Sequence, residues 1–203
     1  NSQKSNLCPF ASISCKRSCI VFSGNGMMPS VISGRSIRTE YMIQKEKEFY
    51  RLLWLELSKI NLTFIRSLVR LNVFSDIDHV TNFKKYGYNL EDLERIVFYD
   101  YTKVESSLYT LPSNYEKLFS FSGYNWADCE RLLDSKTCNV SAVFKVKKGE
   151  KLPSNYKGFK VVDGDLNDTR LKEFDGLGVI VGLREKNSIL NGKIDSKFVI
   201  NLK

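Results

Sequence analysis

The apolar residues of this chain fall into six short runs, and this pattern narrows the possible folds more than any other feature of the sequence. The runs span Ser67 to Val73, Arg95 to Tyr101, Lys117 to Phe121, Asn139 to Val146, Gly158 to Val162 and Gly178 to Leu183. Runs of this length, bounded by polar and turn residues, predict β-strands. Helical patterns fill two of the gaps, from Asn89 to Arg95 and from Trp126 to Asp134, the second with Asn125 as N-cap. Strands that alternate with helices predict an α/β fold with a largely parallel sheet, either an incomplete (β/α) barrel or an open sheet.

The length and continuity of the chain predict a single domain, residues 1–203. The 203 residues are 42% hydrophobic, which is enough to bury one sizeable core. Residues 1–36 are rich in Cys, Pro, Gly and Ser and lack apolar periodicity, so they are predicted to form a Cys-rich loop that holds a metal or cluster. Residues 37–203 are the predicted strand–helix core, which begins with an amphipathic helix from Arg38 to Lys59.

The sequence also carries a prediction about location. It contains no uninterrupted apolar stretch of the length that spans a bilayer, and its first thirty or so positions lack the pattern of a secretory signal. We therefore expect a soluble, cytoplasmic protein without a membrane partner.

Three of the five cysteines, Cys8, Cys15 and Cys19, lie close together near the amino terminus. An odd number of closely spaced cysteines suits metal ligation better than a disulfide framework. Thiolate is a soft ligand that favours iron–sulfur clusters and zinc, and three thiolates leave a fourth position open. The sequence therefore predicts a metal site on these three residues, with a [4Fe-4S] cluster first and zinc as the alternative. Cys129 and Cys138 fall in or beside predicted core elements and are interpreted as buried small hydrophobes.

Polar side chains follow most of the apolar runs at the point where each predicted strand ends. In parallel α/β folds the carboxyl ends of the strands meet at one edge, where binding sites are built. We expect one shared polar pocket there, with Asp100, Lys103, Asp163 and Asp165 as catalytic residues. Its predicted substrate-binding residues are Asn72, Asp76 and Arg184.

The balance of charge favours an anionic partner. The 31 Lys and Arg residues exceed the 23 Asp and Glu residues, which gives a formal net charge of +8. Such an excess attracts phosphate-bearing partners, so a zinc-stapled nucleic-acid-binding protein is one alternative function. A metal-dependent nuclease that uses Asp163, Asp165 and Asp168 is another. The single histidine, His79, is interpreted as a structural residue at a helix start.

Several motifs resemble the gene product eighty-eight family of phage and mobile-element proteins. They are Asn6–Ala11 with Cys15 and Cys19, then Ser23–Gly26, Arg70–Asp76, Phe98–Lys103, Val162–Asp165 and Val179–Arg184. Together these motifs cover nearly the whole chain. The resemblance implies a viral or mobile-element origin rather than a particular reaction.

A more distant resemblance is to radical S-adenosylmethionine enzymes. These enzymes bind a four-iron cluster through three cysteines on a loop after the first strand of a partial (β/α) barrel, and the open iron binds the methionine part of S-adenosylmethionine. The resemblance implies that Cys8, Cys15 and Cys19 are the cluster ligands. The leading prediction is therefore an iron–sulfur protein with a cluster above a polar pocket, and S-adenosylmethionine is a further candidate cofactor.

Overall fold

The computed structural model describes residues 7–186 and 197–202. Asn6, the first residue of one motif, and the two ends of the predicted 1–203 domain lie outside the described residues. Within them, eight strands form the sheet. They are β1 (Ser67–Val69), β2 (Ile96–Thr102), β3 (Tyr115–Ser120), β4 (Val140–Phe144), β5 (Asn155–Tyr156), β6 (Phe159–Asp163), β7 (Ile180–Arg184) and β8 (Val199–Ile200).

The sheet is open and largely parallel. Its order is β1-β2-β3-β4-β7-β6-β5, and β8 pairs with β4 beside this path. All of these pairs are parallel except the antiparallel hairpin of β5 and β6. This confirms the predicted α/β class and the open-sheet alternative. The described strands form an open sheet with β1 and β5 at its edges, and no barrel is seen among them.

Each of the six apolar runs contains one strand, so the predicted strands are confirmed. The first strand is shorter than its run, because β1 ends at Val69 and the chain then turns away from the sheet. The turn has a local cause: the Asn72 amide donates to the side chain of Asp100 instead of to a neighbouring strand.

The helices agree with the sequence less closely. They are α1 (Ile13–Arg17), α2 (Pro29–Gln44), α3 (Glu46–Asn61), α4 (His79–Lys85), α5 (Trp126–Asp134) and α6 (Lys172–Asp175). The predicted α5 and its N-cap position at Asn125 are confirmed. The single helix from Arg38 to Lys59 is wrong, because the backbone breaks at Lys45, whose φ of −131° is not helical. Helix α2 starts at Pro29, inside the predicted 1–36 loop, since proline fits the first helical turn.

The segment from Asn89 to Arg95, predicted as a helix, contains only a single 3₁₀ turn, Leu90–Asp92. Leu90 and Leu93 are nearly inaccessible and pack under β2. Because β2 begins at Ile96, a longer helix does not fit between this turn and the strand.

Two hydrophobic clusters cover the same face of the sheet. The first packs α3 and α4 against β2 and β3, around Tyr50, Phe83 and Phe98. The second packs α5 against β3, β4 and β7, around Leu132 and Phe144. The strand register shows that the strand residues of both clusters point to the same face of the sheet. Asp100, Thr102 and Lys117 lie on this face as well.

The opposite face lies under the segment 164–175, which runs from β6 towards β7. Gly164 approaches this face so closely that a Cβ there would lie 2.6 Å from a Val181 methyl carbon. Further along, the Lys172 amide donates to Glu116 of β3 at 2.8 Å. Among the described helices, none has the length and apolar character needed to cross a membrane.

Candidate functional site

The cysteine-bearing amino-terminal segment packs across the carboxyl ends of β1, β2 and β3. The Asp76 amide, in the loop after β1, donates to the Leu7 carbonyl at 2.8 Å. The Cys8 thiol lies 3.5 Å from the Phe74 carbonyl of the same loop. The Ser12 hydroxyl donates to the Ser122 carbonyl, just beyond β3, at 2.7 Å. The three contacts hold this segment at the edge where the sequence predicts a site.

Local chemistry places the three thiols in successive turns. Ser12 caps α1 by accepting a hydrogen bond from the Cys15 amide at 3.0 Å. Cys19 precedes the 3₁₀ turn Ile20–Phe22. In the next turn, a Cβ on Gly26 would lie 2.8 Å from the Val21 carbonyl oxygen, so the backbone approach requires glycine. The turn is tied to α2, because Arg35 donates to the Gly26 carbonyl at 3.2 Å.

Electrostatics shows that the three thiols share one neighbourhood. Burial raises the pKa of Cys8; the positive charge of Lys103 opposes this, and the charges of Cys15 and Cys19 reinforce it. Burial also raises the pKa of Cys19, and the charge of Cys15 reinforces the rise. A hydrogen bond with the Val21 backbone and the charges of Lys103 and Arg35 oppose it. All three cysteines are partly exposed. Two cations thus lie within electrostatic range of the thiol group.

The sulfur atoms do not already surround a metal position. Over residues 7–186 and 197–202, no group of three or more His, Cys, Asp or Glu side chains is arranged to hold a metal ion. The thiols are therefore neighbours without being a formed set of ligands.

Asp100 holds the loop after β1 in place. Its side chain is completely buried, and it accepts hydrogen bonds from the Asn72 amide at 2.8 Å and from the Asn72 side chain at 2.9 Å. The Tyr115 hydroxyl donates to it as well. Burial raises the pKa of Asp100, and these hydrogen bonds oppose the rise. Asn72 also accepts from the Ile77 amide at 3.1 Å, so the pair determines the path of the loop towards the cysteines.

Asp76 joins the same loop to the end of β2. One carboxylate oxygen accepts from the Thr102 hydroxyl at 2.8 Å and the other from the Lys103 amide at 2.8 Å. The predicted residues Asn72, Asp76, Asp100 and Lys103 therefore lie together, next to the cysteine segment.

The other predicted residues form a separate cluster at the ends of β6 and β7. Arg184 binds Asp163 through two hydrogen bonds of 2.7 and 2.8 Å and Asp165 through one of 3.1 Å. The hydrogen bonds of Arg184 lower the pKa of Asp163. Because β3 and β4 lie between β2 and β7, the two clusters are separated by three strand spacings, roughly 14 Å. The prediction of one shared pocket is therefore wrong.

The three carboxylates of the nuclease hypothesis are divided between two arginines. Asp163 and Asp165 pair with Arg184, whereas Asp168 lies 3.4 Å from Arg70. Arg70 also stacks over the Tyr101 ring, 4.5 Å from its centroid. Each carboxylate thus neutralises an arginine rather than turning towards a common cation.

A family model described as Gene product 88 matches residues 1–202. The chain belongs to the Gene product 88 family. The match covers every motif on which the resemblance rests, so the predicted family is confirmed. Neither the curated proteins nor the solved structures contain a match to this chain.

The architecture of this Gene product 88 protein departs from the radical S-adenosylmethionine enzymes. Their three cysteines follow the first strand of a barrel, whereas Cys8, Cys15 and Cys19 precede β1 and both long helices. The sheet of this protein is also open. The order of helices and strands in this protein therefore does not match that of radical S-adenosylmethionine enzymes.

Three further sequence interpretations concern buried residues. Cys129 and Cys138 are 0% and 2% exposed within the cluster around α5, as expected for small hydrophobes. His79 is buried at the start of α4, and its Nδ1 lies 3.0 Å from the Tyr50 hydroxyl. This placement agrees with a structural role for His79 in this family member.

The sequence interpretation missed Lys117. Its side chain, 6% exposed, lines a cleft of about 420 Å³ beside the cysteine segment, which contributes Pro9 and Phe10 to the wall. Lys117 lies directly opposite Asp100 in the strand register. The sequence shows Asp100 and Lys117 as charged residues in neighbouring apolar runs, and this was the signal that could have identified Lys117. The strand register that pairs the two residues is not visible in the sequence.

Proposed function

We propose that this member of the Gene product 88 family binds a thiolate-ligated metal centre through Cys8, Cys15 and Cys19, with a [4Fe-4S] cluster as the leading candidate and zinc as the alternative. One observation carries the proposal. The charges of Cys15 and Cys19 act on the ionisation of Cys8, and that of Cys15 acts on Cys19, so the three thiols are neighbours at the carboxyl edge of a parallel sheet, where α/β proteins build their sites.

The surroundings of the thiols support a thiolate centre. A metal binds thiolate and not thiol, so each ligand must lose its proton on binding. Burial raises the pKa of Cys8 and of Cys19, but the charge of Lys103 opposes this rise at both residues and that of Arg35 opposes it at Cys19. These cations favour the deprotonated ligands and offset the negative charge that three thiolates bring together.

Metal binding on this proposal requires the sulfur atoms to approach one another. Cys15 lies in the short helix α1, and Cys8 and Cys19 lie outside it in turns. We expect rotation of the side chains and shifts of these turns to bring the sulfur atoms together. The free energy of metal binding then adds to the stability of this region.

The neighbouring residues have different roles in the proposal. Asn72, Asp76 and Asp100 position the loop after β1, and through it the segment that carries Cys8. Lys103 lies at the thiols and is the residue that would hold an anionic ligand there. A catalytic role for Asp163 or Asp165 and substrate binding by Arg184 stay predictions. Binding of S-adenosylmethionine to an open iron also stays a prediction.

The test is purification of the full chain without oxygen, followed by iron, sulfide and zinc analysis and a visible absorption spectrum. We expect about one cluster per chain, and we expect Cys8→Ser, Cys15→Ser and Cys19→Ser each to lose it, because all three thiolates are ligands. Cys138→Ala is the matched control, since it removes a thiol from the core and should keep the cluster. Wild-type protein with neither metal nor colour, even after reconstitution, would refute the proposal.

The same preparation separates the zinc alternative. A colourless protein that contains stoichiometric zinc, and that loses this zinc in the three serine variants, would show that the centre is zinc and not a cluster. The net charge of +8 then favours the zinc-stapled nucleic-acid-binding function. That function requires affinity for nucleic acid to fall steeply with salt, because phosphate contacts release counterions. The nuclease is not proposed, since its three carboxylates are paired with arginines.

A further inference from the structure

Lys117 is a largely buried lysine whose side chain lines the cleft. Its side chain lies at the centre of β3 and is 6% exposed. Among the residues that the structure describes, it forms neither a hydrogen bond nor an ion pair, and its ring contact is with Tyr115, whose centroid lies 5.5 Å from Nζ. The side chain is thus largely removed from water although no described residue pairs with its charge, so the residue does not serve the stability of the fold.

The acidic groups around Lys117 are already occupied by other donors. Asp78 accepts from the Thr81 amide at 3.1 Å and from the Thr81 hydroxyl at 2.6 Å. Asp100 is bound by Asn72 and Tyr115, and Asp76 by Thr102 and Lys103, at the distances given above. These three carboxylates act on the charge of Lys117 without contacting it. The amine is therefore left to face the cleft.

The cleft has the chemistry of a site for a small polar molecule. Its volume is about 420 Å³, within the range of small-ligand pockets. Four hydroxyl side chains line it, those of Thr81, Ser106, Ser107 and Thr110. Asp76 and Asp78 also line the wall and repel anions, so the cleft favours a neutral ligand that exchanges hydrogen bonds with hydroxyl groups.

We propose that Lys117 is the nucleophilic amine of a binding site for a small, neutral hydroxy-aldehyde or hydroxy-ketone. This site is independent of the proposed metal centre. The ammonium group releases a proton to water, and the neutral nitrogen attacks the carbonyl carbon. The carbon–oxygen π pair moves to oxygen, which takes up a proton to give a carbinolamine. Loss of water then leaves an imine, and no oxidant or reductant is consumed.

The ionisation of the amine supports this assignment. Burial lowers the pKa of Lys117, and the charges of Asp78, Asp100 and Asp76 only partly oppose the effect. A lowered pKa increases the fraction of neutral amine, which is the reactive form. Desolvation is one of the recognised ways in which proteins activate lysine for imine formation.

The test is reductive trapping of the imine on the full chain. Glycolaldehyde and cyanoborohydride are added at mildly alkaline pH, and peptide mass mapping follows the modification of each lysine with time. We expect Lys117 to be modified several times faster than the exposed Lys151, because burial increases the fraction of neutral amine at Lys117. Modification of Lys117 at the same rate as Lys151, or more slowly, would overturn the proposal.

Two variants and a second probe make the result specific. Lys117→Arg keeps the charge and must abolish the fast modification, while circular dichroism confirms that it folds. Thr110→Val removes a wall hydroxyl and should slow the modification at Lys117 but leave Lys151 unchanged. Glyoxylate, an anionic aldehyde, should favour Lys117 over Lys151 less than glycolaldehyde does, and an equal preference would rule out the neutral ligand class. The Cys8→Ser variant should react like wild type, which separates this outcome from the fate of the metal centre.

Discussion

At the scale of single residues, the described polar residues that are buried near the carboxyl edge of the sheet differ in their partners. Asp100 is enclosed by three donors, and His79 is paired with the Tyr50 hydroxyl. Lys117 lies beside both and contacts neither at hydrogen-bond distance. Groups that are fully paired stabilise the fold, whereas an unpaired buried amine costs free energy and indicates ligand chemistry.

His79 makes the stability of the protein depend on pH. Burial and, to a smaller extent, the charge of Lys117 lower the pKa of His79 to about 4, against the opposing charge of Asp78. The unfolded chain, with a pKa of 6.5, therefore binds the proton first as pH falls. Stability from neutral His79 is complete above the unfolded pKa and is lost as pH falls towards the folded pKa. Between about pH 7 and about pH 5, we expect a loss of about 2 kcal/mol in the free energy of unfolding.

The matched variant is His79→Gln, which does not titrate and keeps a polar group near the Tyr50 hydroxyl. Urea unfolding of both proteins at the two pH values measures the difference. The variant should lose much less stability than wild type over this interval. Equal losses in the two proteins would mean that His79 does not account for the pH dependence.

At the scale of elements, the sequence predicted what depends on local pattern and missed what depends on register. The six apolar runs became strands because burial between layers selects short apolar segments. The break between α2 and α3 at Lys45 was missed, since the apolar period continues across it. The single pocket was wrong for a similar reason. Asp100 and Asp163 both follow or lie in strands, but the sheet order places β3 and β4 between those strands.

The loop after β1 is the element that connects the sheet to the cysteine segment, and Asp76 is its central contact. Its carboxylate binds the end of β2, and its amide binds the Leu7 carbonyl. We expect Asp76→Ala to release the segment and to speed tryptic cleavage after the exposed Lys16 and Arg17 about tenfold, since about 1.4 kcal/mol of lost protection corresponds to that factor.

The control for this prediction is Asp134→Ala, which removes an exposed carboxylate at the end of α5. Limited proteolysis with mass analysis should give the wild-type cleavage rate at Lys16 and Arg17 for this variant. Unchanged cleavage in Asp76→Ala would show that the segment is held by its other contacts, such as the hydrogen bond of Ser12 to Ser122.

At the scale of the whole molecule, the two faces of the sheet are covered in different ways. Helices α3, α4 and α5 bury one face with two apolar clusters. The other face lies under the segment 164–175, which folds around the buried side chain of Arg170. This arginine is 1% exposed, pairs with Asp175 at 2.8 Å, and donates to the Gly164 carbonyl at 3.2 Å. One ion pair therefore organises the cover of an entire face.

Loss of this ion pair should destabilise the whole domain. Arg170→Met leaves Asp175 buried without its cation, and breaking a buried pair in this way costs about 3–5 kcal/mol. The free energy of unfolding of such domains is about 5–15 kcal/mol in total, so this variant should lose a large part of its stability. The measurement is the free energy of unfolding in urea.

Two comparisons separate the buried pair from a general effect of removing an arginine. Arg66→Met breaks the exposed pair with Glu173 and should cost less than about 1 kcal/mol. The double variant Arg170→Met, Asp175→Leu removes both charges and should recover much of the loss, because the cost of the single variant comes from the uncompensated carboxylate. If Arg170→Met were as mild as Arg66→Met, the segment 164–175 would be held mainly by its other contacts, among them the Lys172 amide bonded to Glu116.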